Sequence, residues 1–330
     1  MSALTFHRFR LLLSCCMAAA LALTGAAAAA ETYPARPIKL LVPFPAGGGS
    51  DILARILASG MSDHLGQPVV VDNRPGASTN IAAEIASKSK PDGYTLMLGN
   101  TNTFVVNSLL YKSLNYNAAT DFTLVGMAGA FPMLLVVPPS SPAKTVSDFV
   151  KLAKSKTTEL TYASPGIGSP HHLAMEMFKH RAGIDVVHAS YRGVAPAIPD
   201  LMSGRVQVMF LDYAAGVSFI KTGKLRVLAV GSEQPTGFMP EVPTMAASGF
   251  TGFDITGWQG VAVPSGAPAD VLQKLTGALR AAMADPGIQE KLRNAGIEPV
   301  YMAPPAFAKH IAEERIKLEA LIRSNEIRIE

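Results

Sequence analysis

Leu40-Leu41-Val42-Pro43-Phe44-Pro45-Ala46-Gly47-Gly48-Gly49-Ser50-Asp51 is an apolar run that breaks into a glycine-rich loop and reopens as a helical pattern. A second stretch, Leu160-Thr161-Tyr162-Ala163-Ser164-Pro165-Gly166-Ile167-Gly168-Ser169-Pro170, has the same grammar. Glycines let backbone N–H groups turn toward a bound anion without interference from Cβ. The helix that follows adds unpaired N–H donors and the positive end of its dipole. Each loop is a candidate anion cradle. One strand–glycine–helix turn would say little in an α/β chain, but two of them far apart in sequence suggest a ligand held between two lobes.

Outward from these loops, apolar β-branched runs alternate with amphipathic stretches, the pattern of parallel sheets with crossover helices. Strands are expected at 38–42, 69–71, 94–98, 133–137, 160–163, 185–188, 206–210 and 225–230. Helices are expected at about 52–65, 81–88, 146–154, 171–181, 195–202, 269–283, 287–294 and 305–323. The first carries Leu53, Ile56, Leu57 and Met61 on one stripe and has Asp51 where an N-cap belongs. Pro138-Pro139-Ser140-Ser141-Pro142 ends a strand, and Pro235 to Pro243 reads as loop. Lobe crossings are therefore placed near residues 130 and 252: residues 31–130 and 253–330 form lobe 1, and 131–252 an inserted lobe 2. The fold class expected is a two-lobed α/β fold, each lobe a mostly parallel sheet flanked by helices.

The first thirty residues read as a secretory signal peptide. Arg8 and Arg10 supply a basic start, Leu11 to Leu23 an apolar core, and Ala28-Ala29-Ala30 a cleavage site. Leu12-Leu13-Ser14-Cys15 only loosely matches a lipidation signal. Both cysteines, Cys15 and Cys16, would leave with the leader, so neither a disulfide nor a thiol nucleophile is expected in the mature chain. Of 29 Lys and Arg, two lie in the leader, which leaves 27 against 25 Asp and Glu. That mild balance is no footprint for nucleic acid.

From Tyr33 to its end the chain resembles the periplasmic receptors of tripartite tricarboxylate transporters, the Bug-type binding proteins. The matching stretches are Tyr33-Pro34-x-Arg36-Pro37-Ile38, Pro43-x-Pro45-x-Gly47-Gly48-x-x-Asp51, Leu65-Gly66-Gln67-Pro68-Val69-Val70-Val71-x-Asn73-Arg74-Pro75-Gly76-Ala77 and Pro91-Asp92-Gly93-Tyr94-Thr95-Leu96. Later come Tyr162-Ala163-Ser164-x-Gly166-x-Gly168-Ser169-x-x-His172-Leu173, Tyr191-Arg192-Gly193, Gly223-Lys224-Leu225-Arg226 and Trp258-x-Gly260. The resemblance implies a venus-flytrap fold that captures a small carboxylate between its lobes and delivers it to integral membrane permease subunits. Two departures stand out. Ser78-Thr79 replace the Gly-Gly that commonly follows the Asn-Arg-Pro-Gly-Ala run. Leu211 also intervenes before Asp212, where the family often has an acidic residue directly after the strand.

The candidate ligand-binding residues are Phe44, Pro45, Ala46, Gly47, Gly48, Gly49, Ser50 and Asp51 in the first loop, and Ser164, Gly166, Gly168, Ser169 and His172 in the second. Ser78, Thr79, Asn100, Thr101, Asn102, Tyr191, Arg192 and Asp212 are further candidates near the cleft. Gly48 is expected to be the position where an added side chain would intrude. Arg192 could pair bidentately with a ligand carboxylate or brace the lobes, and Trp258 could be core or ligand wall. The first loop has neither the G-x-G-x-x-G spacing of a dinucleotide site nor a P-loop lysine, so no nucleotide is expected. Adjacent His171 and His172 point about 100° apart on a helix, so no metal is expected. No cofactor or catalytic residue is assigned. The expected function is a periplasmic, monomeric solute receptor. The alternatives are an exported α/β hydrolase using Ser169 and a histidine, though no G-x-S-x-G elbow supports it, and a ligand-sensing partner of a sensor kinase.

Overall fold

In a computed structural model, residues 32–155, 159–324 and 327 are described, and the expected leader, residues 1–30, lies outside them. The elements in chain order are β1 (Ile38–Val42), α1 (Gly49–Leu65), β2 (Val69–Asn73), α2 (Asn80–Ser87), β3 (Thr95–Asn100), α3 (Asn107–Leu110), β4 (Phe122–Phe131) and β5 (Met133–Val137). They continue as α4 (Val146–Lys154), β6 (Thr161–Ser164), α5 (Pro170–Ala182), β7 (Val187–Ser190), α6 (Ile198–Met202), β8 (Val208–Asp212), α7 (Tyr213–Lys221), β9 (Arg226–Val230) and β10 (Gly257–Pro264). The chain closes with α8 (Ala269–Ala284), α9 (Pro286–Asn294) and α10 (Pro304–Ser324).

Two five-stranded sheets result, ordered β2-β1-β3-β10-β4 and β7-β6-β8-β5-β9. They are built alike. In the first, β2, β1 and β3 run parallel and β10 lies antiparallel between β3 and β4. In the second, β7, β6 and β8 run parallel and β5 lies antiparallel between β8 and β9. Four of five strands in each sheet thus share a direction, as the sequence pattern requires of crossover connections. The chain leaves the first sheet at Phe131, enters the second at Met133, and returns to the first at Gly257. The closing helix α8 packs along α1.

Helix ends follow local chemistry. Ser169 caps α5, its Oγ accepting the His172 N–H at 3.2 Å, with Pro170 at the first helical position. Asp212 caps α7 through Oδ1 and the Ala215 N–H. The expectation for Asp51 needs correction: α1 begins three residues earlier, at Gly49, and its N-cap is Gly48, which has no side chain to close the end. Asp51 sits in the first turn instead. Its carboxylate reaches back to the Gly47 N–H (3.0 Å) and also takes bonds from Asn73 and Arg55. Burial works to raise this carboxyl, but those bonds, Arg55 foremost, outweigh it and hold Asp51 below the usual carboxylate range.

Several elements differ from expectation. Strands β6, β7 and β8 begin one or two residues later than their apolar runs. The helical turns at 102–110, helix α7 and strands β4 and β10 had no expected counterpart. Glycine explains the two strands: β4 contains Gly126 and Gly129, and β10 contains Gly257 and Gly260, residues of poor strand propensity. They are there for close approach. A Cβ at Gly260 would come within 2.5 Å of the Phe307 ring, and one at Gly126 within 2.9 Å of the Met302 carbonyl.

Candidate functional site

Both glycine-rich loops open at the C-terminal ends of their strands and meet at one cavity of about 60 Å³. Gly48, Gly49 and Ser50 come from the first loop, and Pro165, Ser169, Pro170 and His171 from the second. Asn100, at the end of β3, and Asp212, at the end of β8, also line it, with Gly257, Trp258 and Gln259 from the start of β10. Phe44, Pro45, Phe131, Met133, Val194 and Ala195 supply apolar wall. This is where ligands gather in open α/β sheets, beyond the carboxyl ends of the strands. The volume suffices for several ordered waters or a small polar head group.

Three helices begin at this cavity: α1 behind Gly48, α5 behind Ser169 and α7 behind Asp212. The first N–H groups of a helix have no intrahelical acceptor. On α1 no side chain caps them. On α5 the cap takes the His172 N–H and leaves the His171 N–H for a ligand. The dipoles of the helices point their positive ends inward, each equivalent to about half a charge. An anion is thus favoured without any lysine or arginine in the lining.

The side chains complete the donor set. His171 Nε2 lies 3.2 Å from Asp212 Oδ2. Gln259 Nε2 donates to Ser50 Oγ. Asn100 Oδ1 accepts from the Thr103 N–H and hydroxyl, which leaves its amide N–H₂ as donor. His171 Nδ1, Trp258 Nε1 and Gln259 Oε1 are buried without any hydrogen-bond partner. Buried polar atoms are seldom left so; His171 and Gln259 stand at the cavity, whereas the Trp258 indole packs against Phe104, Phe307 and His310.

Close contact between the lobes is written into Gly49. A Cβ there would lie 2.7 Å from Asp212 Oδ1, 3.2 Å from the Phe131 ring and 3.3 Å from Ala214 Cβ. Gly48 has room, since a Cβ there would meet only the Pro45 carbonyl at 3.9 Å. The expectation that Gly48 is the intolerant position is thereby corrected to its neighbour.

Other candidates fall elsewhere. Ser78, Thr79, Gly166, Tyr191 and Arg192 line an adjoining pocket of about 210 Å³, which shares Phe44, Pro45 and Pro165 with the first. Gly47 faces an apolar groove on the other side of its loop. Ala46, Asp51, Thr101, Asn102, Ser164, Gly168 and His172 line neither the cavity nor the adjoining pocket. His172 supports the loop from behind: its Nδ1 accepts the Gly168 N–H at 3.2 Å, and its ring lies 4.5 Å from that of His188. Ser164 bonds His188 and the Gly166 carbonyl. Ser78 instead crosses between lobes, donating to the Ile167 carbonyl at 3.1 Å. Sequence reading missed Phe131 and Gln259 because β4 and β10 were not visible as strands, and Met133 because the place of β5 in the sheet order is not written in its apolar run; the Trp258-x-Gly260 motif was the available signal. Among the described residues no three His, Cys, Asp or Glu side chains come together as a metal site, and no helix is long and apolar enough to cross a membrane.

A sequence model described as the tripartite tricarboxylate transporter family receptor matches residues 53–327. The chain belongs to this receptor family. It is 36% identical over 307 residues to a protein encoded in the tcbD-tcbE intergenic region of Pseudomonas sp. strain P51, covering 92% of this chain and 91% of that one. It is 34% identical over 300 residues to BugT of Bordetella pertussis, covering 91% and 92%. Among solved structures, R. palustris Rpa4515 with adipate superposes with a TM-score of 0.87 at 34% identity, over 90% of this chain and 99% of that one. MatC from Rhodopseudomonas palustris with bound malate gives 0.83 at 28% identity, over 88% and 100%. The periplasmic binding protein BugD gives 0.85 at 31%, over 90% and 99%. The two-lobed periplasmic binding protein fold follows, and the family's role is that of a receptor rather than an enzyme, against the hydrolase alternative.

Proposed function

We propose that this receptor captures a small organic carboxylate in the cavity between its two sheets and hands it to the membrane subunits of a tripartite transporter. The observation that supports this most is the convergence of the uncapped N-terminus of α1 and the N-terminus of α5, one from each sheet, on a cavity with no lysine or arginine. The carboxylate takes N–H bonds from Gly49 and Ser50 on one side and His171 on the other. The relatives solved with adipate and malate support the ligand class.

The first sheet with α8, α9 and α10 acts as one lobe, and the second sheet as the other. The two connections, at Pro132 and between Val230 and Gly257, form the hinge. Neutral donors hold the anion without a fixed cation left unpaired when the ligand leaves, so opening the lobes suffices for release. The chain is exported to the periplasm by residues 1–30, where the ligand and the permease meet.

Calorimetry with a carboxylic acid and its primary amide tests the proposal. Benzoate is expected to bind at least a hundredfold more tightly than benzamide, because only the anion gains from both helix ends. Equal affinities would remove anion recognition from this cavity.

A further inference from the structure

The cavity lining restricts the ligand further, on the receptor reading given above. Charge decides first. Asp212 and His171 are the ionisable side chains around the cavity, and they bond to each other. The ends of α1 and α5 supply positive potential worth about one charge between them, which one carboxylate consumes, and the end of α7 is already capped by Asp212. A second carboxylate on the ligand would find no cation, and it would share a low-dielectric space with the buried Asp212 carboxylate, 6% exposed. Arg192 lies outside this cavity, in the adjoining pocket.

The unpartnered atoms add a requirement. His171 bonds Asp212 through Nε2, and its Nδ1 has no partner. Gln259 Oε1 is a buried acceptor without a donor. A hydroxyl both donates and accepts, and therefore satisfies such a set. Phe44, Pro45, Phe131, Met133 and Pro165 offer only apolar contact to the rest of the molecule.

We infer that the ligand is a monocarboxylic acid with an apolar body and one hydroxyl, and that Asp212 turns dicarboxylates away. This separates the chain from its relatives solved with adipate and malate.

Calorimetry of the purified receptor with 3-hydroxybenzoate, benzoate and adipate tests it. The expected order is 3-hydroxybenzoate at least tenfold tighter than benzoate and about a hundredfold tighter than adipate. Asp212→Asn keeps the cap on α7 and removes the charge, so it should move the ratio of the two affinities toward adipate by tenfold or more. Adipate bound as tightly as 3-hydroxybenzoate by the unaltered chain would overturn the inference while leaving the receptor reading intact. A ratio unmoved by Asp212→Asn would remove Asp212 as its cause. No binding of any of these acids would overturn the receptor reading and this inference with it. The order among the three acids in the unaltered chain needs no variant, so the test stands even if Asp212→Asn does not fold.

Discussion

Gly48 and Gly49 are neighbours with opposite tolerance for a side chain. A methyl at Gly48 enters open space, whereas one at Gly49 meets Asp212 and Ala214 across the cleft and Phe131 at the end of β4. Gly49→Ala should therefore lower carboxylate affinity by a hundredfold or more with little change in melting temperature, and Gly48→Ala should lower it severalfold at most. Titration calorimetry of both variants checks this, and equal losses would contradict it. A second single-residue effect lies behind the other loop. Burial, with a smaller contribution from His188, pushes His172 down to about 4, and burial pushes His188 down to about 4. In the unfolded chain both take protons near pH 6.5. Between about pH 6.5 and 4 the unfolded state therefore binds more protons than the folded one, so stability falls as the pH is lowered through that window. Glu176 and Lys179 lie close to both rings and act on them in opposite directions. Melting curves from pH 7 to 4 should show the decline, and His188→Gln should flatten it. A melting temperature constant down to pH 4.5 would contradict the account.

At the scale of elements, the arch over Ala77–Thr79 is held against its own backbone preference. Three successive non-glycine residues have positive φ, 46° at Ala77, 49° at Ser78 and 80° at Thr79. This conformation costs a side-chain-bearing residue about 1–2 kcal/mol. Ser78-Thr79 stand where the family commonly has Gly-Gly, so the departure read in the sequence sits where glycine would be unstrained. Buried Asn107 over-determines the arch: its amide donates to the Ser78 carbonyl (2.7 Å), Thr79 Oγ1 (3.3 Å) and Asn80 Oδ1 (2.6 Å). Asn107→Ala should destabilise the fold by about 2–3 kcal/mol, since it strands buried acceptors. Ser78→Ala, which removes one cross-lobe bond, should cost only about 0.5–1.5 kcal/mol. Urea denaturation measures both, and the reverse order would mean that the arch is not held from below. Elements such as β1, β5 and α4 were legible from their apolar pattern, and in α4 the structure adds a Thr145–Asp148 capping box at the start. The turns at 102–110 were not, because Asn-Thr-Asn-Thr reads as loop and folds only through buried bonds such as Thr103 to Asn100 and Thr79. Strands β4 and β10 were hidden by glycines whose purpose is tertiary. Of the cavity, the two loops and Asp212 were visible as grammar, whereas Gln259, Phe131 and Met133 depend on sheet order, which periodicity does not carry.

For the whole molecule, the repeated plan of two sheets makes the cavity a property of their apposition. Neither sheet contains it alone, since Gly49 and Asn100 come from one and His171 and Asp212 from the other. Contacts across the cleft include the Ser78 hydroxyl on the Ile167 carbonyl, Pro45 against Gly193, and Gly49 against Asp212. Capture by two helix N-termini is the claim on which the rest depends. The most direct measurement is an amide ¹H–¹⁵N spectrum of the labelled receptor titrated with benzoate. The Gly49, Ser50 and His171 amide protons are expected to move downfield together along one saturation curve. Shifts confined to one loop, or absent from all three residues while benzoate binds, would contradict it.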